Sequence, residues 1–415
     1  MNMTESGPLA GIRVFDMTLA MVGPWCAMNL GAMGADVIHI EPPTPRQMPG
    51  SDRPGGGVPP SINGTSIGYI SWNMNKRGLT LDMKAQEDRA NAYELLKTCD
   101  VFLMNMRPDV AGRLGVDYET LSKINPGIVY CTVTGWGQDG PMRELPGADG
   151  QINHFTGMST TNGVDGATEG ELYRHSTQMD ASTGNYATQA ILLALVARKR
   201  TGKGQRIDMS MLRATTHLQT GRIGEYLARQ TIGPRLGSAA QVVAPDRAFE
   251  TGDTRQVAVA ATSEAEWATF CDVIRKPELK DDPRFATNAD RVDHRAELHA
   301  ILEPVFKEFP LDYWVLQFRR NRLPYGWPMR WDELRYHQQV QDNGYMQLVP
   351  STAPWGDVWT GGPPYRFSKT PARWFTTPQI GEHNDEILRE LAEGRGSSTP
   401  AATPSNTAAS TGREA

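Results

Sequence analysis

The chain has 415 residues, long enough for two domains or for one large domain with an insertion. Apolar residues make up 39% of it, enough for a sizeable core, and a net charge of −5 gives no global electrostatic reason to bind nucleic acid or an anionic membrane. An anionic ligand must therefore be met by local basic groups. The start, MNMTESGPLAGIRVFDM, lacks the basic opening and long apolar run of a signal peptide, and no run of about 18 apolar residues is present to span a bilayer, so a cytoplasmic protein is expected. Cys26, Cys99, Cys131 and Cys271 form no CxxC pair and no metal-ligand spacing. Reduced, buried thiols are expected, with no metal site and no disulfide framework.

Taken in chain order, the first 135 or so residues alternate strand and helix. Ile12–Met17 (IRVFDM) reads as a buried strand, and Gly23-Pro24 opens a helix with proline at its first position, where a missing N–H costs nothing. Asp36–Glu41 (DVIHIE) is the next strand. The Pro/Gly-rich stretch from Pro42 to about Gly64 predicts a surface loop. Leu79–Met83 predicts a strand, Ala85–Thr98 a helix, and Asp100–Met106 and Ile128–Trp136 two further strands. Repeated β–α–β units imply a parallel, doubly wound, Rossmann-like sheet, which binds ligands at the carboxyl ends of its strands. That places Asp16–Gly23, Glu41–Arg46 and Asn105–Arg113 near one crevice.

Gln178 to about Arg200 reads as a long helix ending in RKRTGKG, basic residues followed by glycine. Ile207–Met209 resumes an extended segment, and a helical stretch follows to about Arg229. The character changes near Gly233: Val257–Ala261 is a strand, Ser263–Glu266 a capping-box start, and helical patterns cover Asp293–Phe309 and Leu311–Asn321. The expected organisation is α/β: a large domain over 1–232, a smaller α+β domain over 233–330, and a return to the large domain over 331–393, with a helix at Asn384–Ala392. From 394 the low-complexity tail is expected to be disordered.

Two groups of residues carry chemistry. Lys76, Arg77, Lys84, Arg107 and Arg113 form a basic cluster that suits a nucleotide phosphate, although charges flanking strands and helices are usually just a solvated face. GAMGAD is not GxGxxG and no Walker sequence is present, which gives a dinucleotide or ATP site little support. Asp180 stands at the start of the long helix, in QMDASTGNY. One reading is a cap. The other is a nucleophile kept ionised by the helix N-terminus, with small neighbours (Ala181, Ser182, Thr183, Gly184) leaving room for an acyl group and offering N–H donors to an oxyanion.

PLAGIRVFDMT…GP, LGAMGADVIHIEPP and NMNKRGLTLDMK resemble the class III (CaiB/BaiF-type) CoA-transferase family. So do DVFLMNMRPDVAGRLGVDYETLSKINPGIVYCTVTGWGQDGP, LVARKRTGKGQRIDMSML and IGEHNDEILREL, in the same order along the chain. The resemblance implies that Asp180 is the catalytic aspartate, passing through a mixed anhydride and an aspartyl-CoA thioester with water excluded. It implies coenzyme A as a substrate, with no permanently bound cofactor, contacted by Ala20, Met21, Leu81, Lys84, Asn105, Met106 and Arg113. It also implies interlocked dimers, with the active site between the large domain of one chain and the small domain of its partner. A heteromer with a related subunit is the variant of that reading.

Two departures from the family pattern, Pro42 and Thr134, imply different phosphate contacts, with Arg46 or Arg77 as substitutes. RLGSAAQ stands where oxalate-type transferases have a glycine-rich loop, which argues against oxalate or formate. The related α-methylacyl-CoA racemases need a histidine base in GHD, but here the residues are Gly147-Ala148-Asp149, with His154 the nearest stand-in. Trp25, Trp136, Phe155, Tyr325 and Trp327 are candidates to line an apolar acyl site. Arg174 and His175 are candidates for a second carboxylate. The expected substrates are succinyl-CoA and a larger or aromatic dicarboxylic acid of the benzylsuccinate type.

Overall fold

The computed structural model describes residues 7–43, 60–161, 163 and 177–394. Arg46, Arg174, His175 and the tail beyond 394 lie outside them. The chain divides into two compact units: one of 1–147, 180–214 and 347–415, the other of 148–179 and 215–346. The expected joints stood at 232/233 and 330/331. The expected small domain falls wholly within the second unit, which also takes 148–179, 215–232 and 331–346.

The first unit is built on a six-stranded sheet. Its strands are β1 (Arg13–Met17), β2 (Asp36–Glu41), β3 (Arg77–Thr80), β4 (Val101–Met104), β5 (Val129–Thr134) and β6 (Gln205–Ser210), in the spatial order β3-β2-β1-β4-β5-β6. Every pairing is parallel. Strands β1, β2, β4 and β5 are buried along their whole length, as strands covered on both faces must be. Their side chains form a core with the helix Gln86–Lys97, in which Phe15, Phe102 and Tyr130 stack in series across neighbouring strands.

Two expectations shift. The strand expected at Leu79–Met83 is β3, two residues earlier at its start, because Arg77 and Gly78 pair with Ile38 and His39. The segment Ile207–Met209 is part of β6, a full member of the sheet that ends it on one side. Within the loop expected to run to Gly64, Ser61–Ile62 pairs with Thr65–Ser66 as a short antiparallel ribbon.

Two helices border the carboxyl edge of this sheet. Helix α1 (Val22–Ala32) leaves the carboxyl end of β1, and helix α2 (Gln178–Thr201) begins two residues before Asp180 and ends with Arg198, Lys199 and Arg200 in its last turn. Arg198 gives hydrogen bonds to the Asp100 carboxylate (2.7 Å) and to the Gly127 carbonyl (3.2 Å), both just ahead of strand starts. The far end of α2 therefore lies at the amino edge of the sheet, and its start lies toward the carboxyl edge.

The second unit has a three-stranded antiparallel sheet (Asp246–Glu250, Gln256–Ala260 and Tyr325–Gly326) packed on helices Glu264–Val273, Arg295–Phe306 and Leu311–Arg320. Its core is aromatic: Phe249, Phe270, Phe306, Trp314 and Phe318 are all nearly inaccessible.

Candidate active site

The strand order reverses at β1. The chain moves outward through β2 and β3 on one side, then returns to β4 and moves outward through β5 and β6 on the other. In such sheets the carboxyl ends of the two strands at the reversal open a crevice between their loops. Here those loops begin at Thr18, after β1, and at Asn105, after β4.

The first loop is held from beneath by a buried polar network. One Asp16 carboxylate oxygen accepts the backbone N–H of Thr18 (3.1 Å) and its hydroxyl (2.5 Å). The other meets Nδ1 of His39 at 3.0 Å and Nζ of Lys76 at 2.8 Å, and Lys76 also donates to the Asn73 side-chain oxygen. Asp16 and Lys76 side chains are fully buried. Burial raises the Asp16 carboxyl, but the Lys76 ammonium and then His39 outweigh it and hold the group well below the usual carboxylate range. A buried charge persists only when paired and hydrogen-bonded in this way.

The second loop reaches across. The Asn105 side-chain oxygen accepts the Leu19 N–H (2.7 Å), and its amide nitrogen donates to the Leu19 carbonyl (2.6 Å). Ala20, next in the turn, is in the left-handed region at φ 60°, and Met21 is the residue before α1. Gly23 permits the close packing. A Cβ there would meet Thr18 side-chain carbons at 2.4 Å and the Asn105 carboxamide carbon at 3.1 Å.

Asp180 enters on α2, half-buried and in the first turn, where the aligned peptide dipoles favour its ionised form. What holds this end of α2 is contact with α1. At Gly184 a Cβ would lie 2.8 Å from the Val22 carbonyl oxygen and 2.9 Å from the Trp25 ring, so only glycine lets the helices approach this closely. One residue on, the Asn185 side-chain oxygen accepts Trp25 Nε1–H (3.0 Å) and Asn29 Nδ2–H (3.3 Å). Asp180 stands four residues before Gly184, about 6 Å along the helix axis, on the side of the carboxyl edge.

The other residues implied to meet CoA sit on the same edge. Met21 is buried and Ala20 exposed. Leu81, just past β3, is buried, its N–H given to the Glu41 carbonyl (2.9 Å), and Lys84 is exposed three residues further on. Met106 packs partly against the core, and Arg113 is exposed with its guanidinium 3.0 Å from Asp109. Thr134 spends its hydroxyl locally, donating to the Met209 carbonyl and accepting the Gly137 N–H.

The basic cluster does not survive as a set. Lys76 is consumed by Asp16. Arg77 is the first residue of β3 and faces the amino edge, where its guanidinium is shared among Asp36, Glu386 and Glu390, each at 2.8 Å. Neither meets a phosphate at the crevice, so the suggested substitution by Arg77 is corrected. Lys84, Arg107 and Arg113 remain exposed.

The aromatic candidates also disperse. Trp25 is spent on Asn185, Trp136 donates to the Pro146 carbonyl, and Phe155 is 57% exposed. Tyr325 and Trp327 stack on each other in the second unit. There too, Asp149 accepts the Met179 N–H (2.9 Å), and His154 is exposed.

All four cysteines are buried and free. Burial pushes the Cys26 and Cys271 thiols up to about 12 and raises those of Cys99 and Cys131 as well, so none is a thiolate nucleophile near neutrality. Among the described residues no group of His, Cys, Asp or Glu is arranged to hold a metal, and no helix is long and apolar enough to cross a membrane.

Sequence reasoning passed over Asp16, Asn185 and Gly184 as positioning residues. No local signal marks Gly184 and Asn185, which act on a helix some 160 residues earlier, and the His39 and Lys76 partners of Asp16 come from elsewhere in the chain.

The sequence model of CoA-transferase family III matches residues 9–384. The chain belongs to that family. The succinyl-CoA:glutarate CoA-transferase of Mus musculus is 34% identical over 387 residues, covering 92% of this chain and 86% of that protein. The succinate–glutarate CoA-transferase of Agrobacterium fabrum is 31% identical over 402 residues, covering 95% and 98% respectively. Among solved structures, a CaiB/BaiF family protein from Brucella suis superposes with a TM-score of 0.80 at 29% identity, covering 93% of this chain and 100% of that one. The chain is accordingly a CoA-transferase of class III, and acyl-CoA and carboxylic acids are its substrate classes.

Proposed function

We propose that this CoA-transferase moves CoA from succinyl-CoA to a dicarboxylic acid, with Asp180 as the covalent nucleophile. The observation that carries this reading is the place of Asp180. It is a half-buried carboxylate in the first turn of a helix whose start is fastened, through Gly184 and Asn185, to the helix that leaves β1. Coenzyme A would lie on the carboxyl edge against Ala20, Met21, Leu81, Lys84, Met106 and Arg113.

The steps balance without water or an oxidant. The Asp180 carboxylate attacks the thioester carbonyl, the C–S bond breaks, and CoA leaves as thiolate, giving a mixed anhydride. The thiolate attacks the aspartyl carbonyl and expels succinate, leaving an aspartyl-CoA thioester. The acceptor carboxylate attacks that thioester and releases CoA thiolate again. The thiolate then takes the acceptor's acyl carbon and frees Asp180. Each intermediate keeps the carbonyl activated, so transfer proceeds only while water is kept out.

The names of the mouse and Agrobacterium relatives support an aliphatic dicarboxylate such as glutarate as acceptor over the aromatic, benzylsuccinate-type acid. The reading includes an interlocked dimer, or a heteromer with a related subunit. The racemase reading is disfavoured because Ala148 cannot carry a proton and Asp149 is engaged by the Met179 N–H.

The test is mass spectrometry after incubation with succinyl-CoA and trapping with hydroxylamine. An adduct localised to Asp180 is expected. Turnover without any modification of Asp180, or solvent deuterium entering a 2-methylacyl-CoA, overturns the mechanism.

A further inference from the structure

We infer that Asn105 is a positioning residue, which serves CoA by holding the Leu19–Met21 turn rather than by offering its own amide to the ligand. The inference rests on the CoA-transferase reading and refines it.

Strands β1 and β4 pair in register only as far as Met17 and Met104. Beyond that point the chains diverge, as they must at a reversal of strand order. The Asn105 side chain bridges the gap. Its oxygen takes the Leu19 N–H at 2.7 Å and its nitrogen gives to the Leu19 carbonyl at 2.6 Å. A carboxamide bonded to both polar groups of one residue clamps that residue's backbone just beyond the point where the strand pairing ends. This pairing also fixes which end of the amide is oxygen.

The turn needs such a hold. Ala20 sits at φ 60°, a conformation that L residues other than glycine adopt at a cost. Thr18 is fixed from below by Asp16, Leu19 from the side by Asn105, and α1 starts at Val22 with no side-chain cap at Met21. Met21 is buried at the end of the turn, but Leu19 is exposed, so apolar burial does not hold Leu19 itself. With Asn105 removed, the turn relaxes and the surface that meets CoA is lost from the unliganded chain.

Asn105→Ala, made in the full chain, is expected to raise Kd for CoA and KM for succinyl-CoA about tenfold, with kcat and KM for the acceptor acid unmoved. A merely structural role would instead lower the active fraction, and with it kcat, at constant KM. Amide exchange without ligand adds a second readout. The Leu19 N–H should be protected in the wild type before CoA is added, lose protection in Asn105→Ala, and regain it with CoA.

Unchanged CoA affinity in the variant overturns the inference. So does weaker affinity with Leu19 exchange unaltered in the unliganded protein, since that is the signature of direct contact. A wild-type Leu19 amide that is unprotected until CoA binds overturns it without any variant. A wild type that binds no CoA at all overturns the functional reading beneath it, whereas CoA binding that ignores Asn105 overturns this inference alone.

Discussion

Both units have an apolar core, but the first also buries a polar network under its strand ends, whereas the second concentrates aromatic rings. Beneath the strand ends of the first lie Asp16, His39, Asn73 and Lys76, all polar and linked in a chain in which His39 and Lys76 meet Asp16 and Lys76 meets Asn73. The core of the second stacks Phe249 on Phe306 at 4.5 Å between ring centroids, with Phe270, Trp314 and Phe318 around them. Its fully buried Arg291 is a pin, bonded to the Ala244 and Phe285 carbonyls and to Glu264 across the face of Trp267. Rings stabilise by area and tolerate small shifts, because dispersion is non-directional. Hydrogen-bonded charges fix atoms to tenths of an ångström but leave a large penalty when one partner is lost. The directional kind is found where a turn must be held.

This contrast can be broken or sharpened experimentally. The largest effect expected is on chemistry alone. Asp180→Ala should lower transfer by roughly 10³-fold or more, while thermal unfolding moves by no more than about 1 kcal/mol, the worth of a helix-dipole contact. Comparable loss of stability would give Asp180 a structural role in the first turn of the helix instead.

Asp16→Ala strands the Lys76 ammonium in the interior and should cost about 3–5 kcal/mol in denaturant unfolding. It should also weaken CoA binding, because Thr18 is released. The sign of the accompanying pH dependence follows from the depressed Asp16 carboxyl. Its contribution is complete above about pH 4, the unfolded value, and is lost as pH falls through the lower folded value. Stability should therefore climb from the most acid conditions to about pH 4, and Asp16→Asn should remove that part of the climb.

Phe306→Ala should cost a similar ~3–5 kcal/mol through the cavity it leaves, yet CoA affinity measured on the folded fraction should not move. An affinity change would show that the contrast between the two cores is false. Smallest is Gly184→Ala, whose methyl must push α2 from the Val22 carbonyl and Trp25. About 1–3 kcal/mol of strain is expected, with kcat lowered and the Kd for CoA intact. A change in Kd alone would detach Asp180 from this helix contact.

Much of the first unit was legible because its signals are local. Apolar runs such as RVFDM, DVIHIE and VYCTVT alternate with helical patterns, and that alternation already implied the parallel sheet. The basic cluster misled because charge says nothing of direction. A start at Arg77 rather than Leu79 carries that guanidinium to the amino edge, where Glu386 and Glu390 arrive from a helix more than 300 residues later. Lys76 read as a surface cation, yet Asp16, 60 residues away, takes it into the interior.

The sequence by itself determined the class of fold, the family, the thiols as buried and free, and Asp180 as an acid at a helix start. These follow from periodicity, from composition and from blocks of residues in order. Only the tertiary structure decided what each polar side chain does at the crevice. Asn105 and Leu19 are 86 residues apart in the chain. They meet because the strand order reverses between β1 and β4, and nothing in local sequence encodes which strands become neighbours.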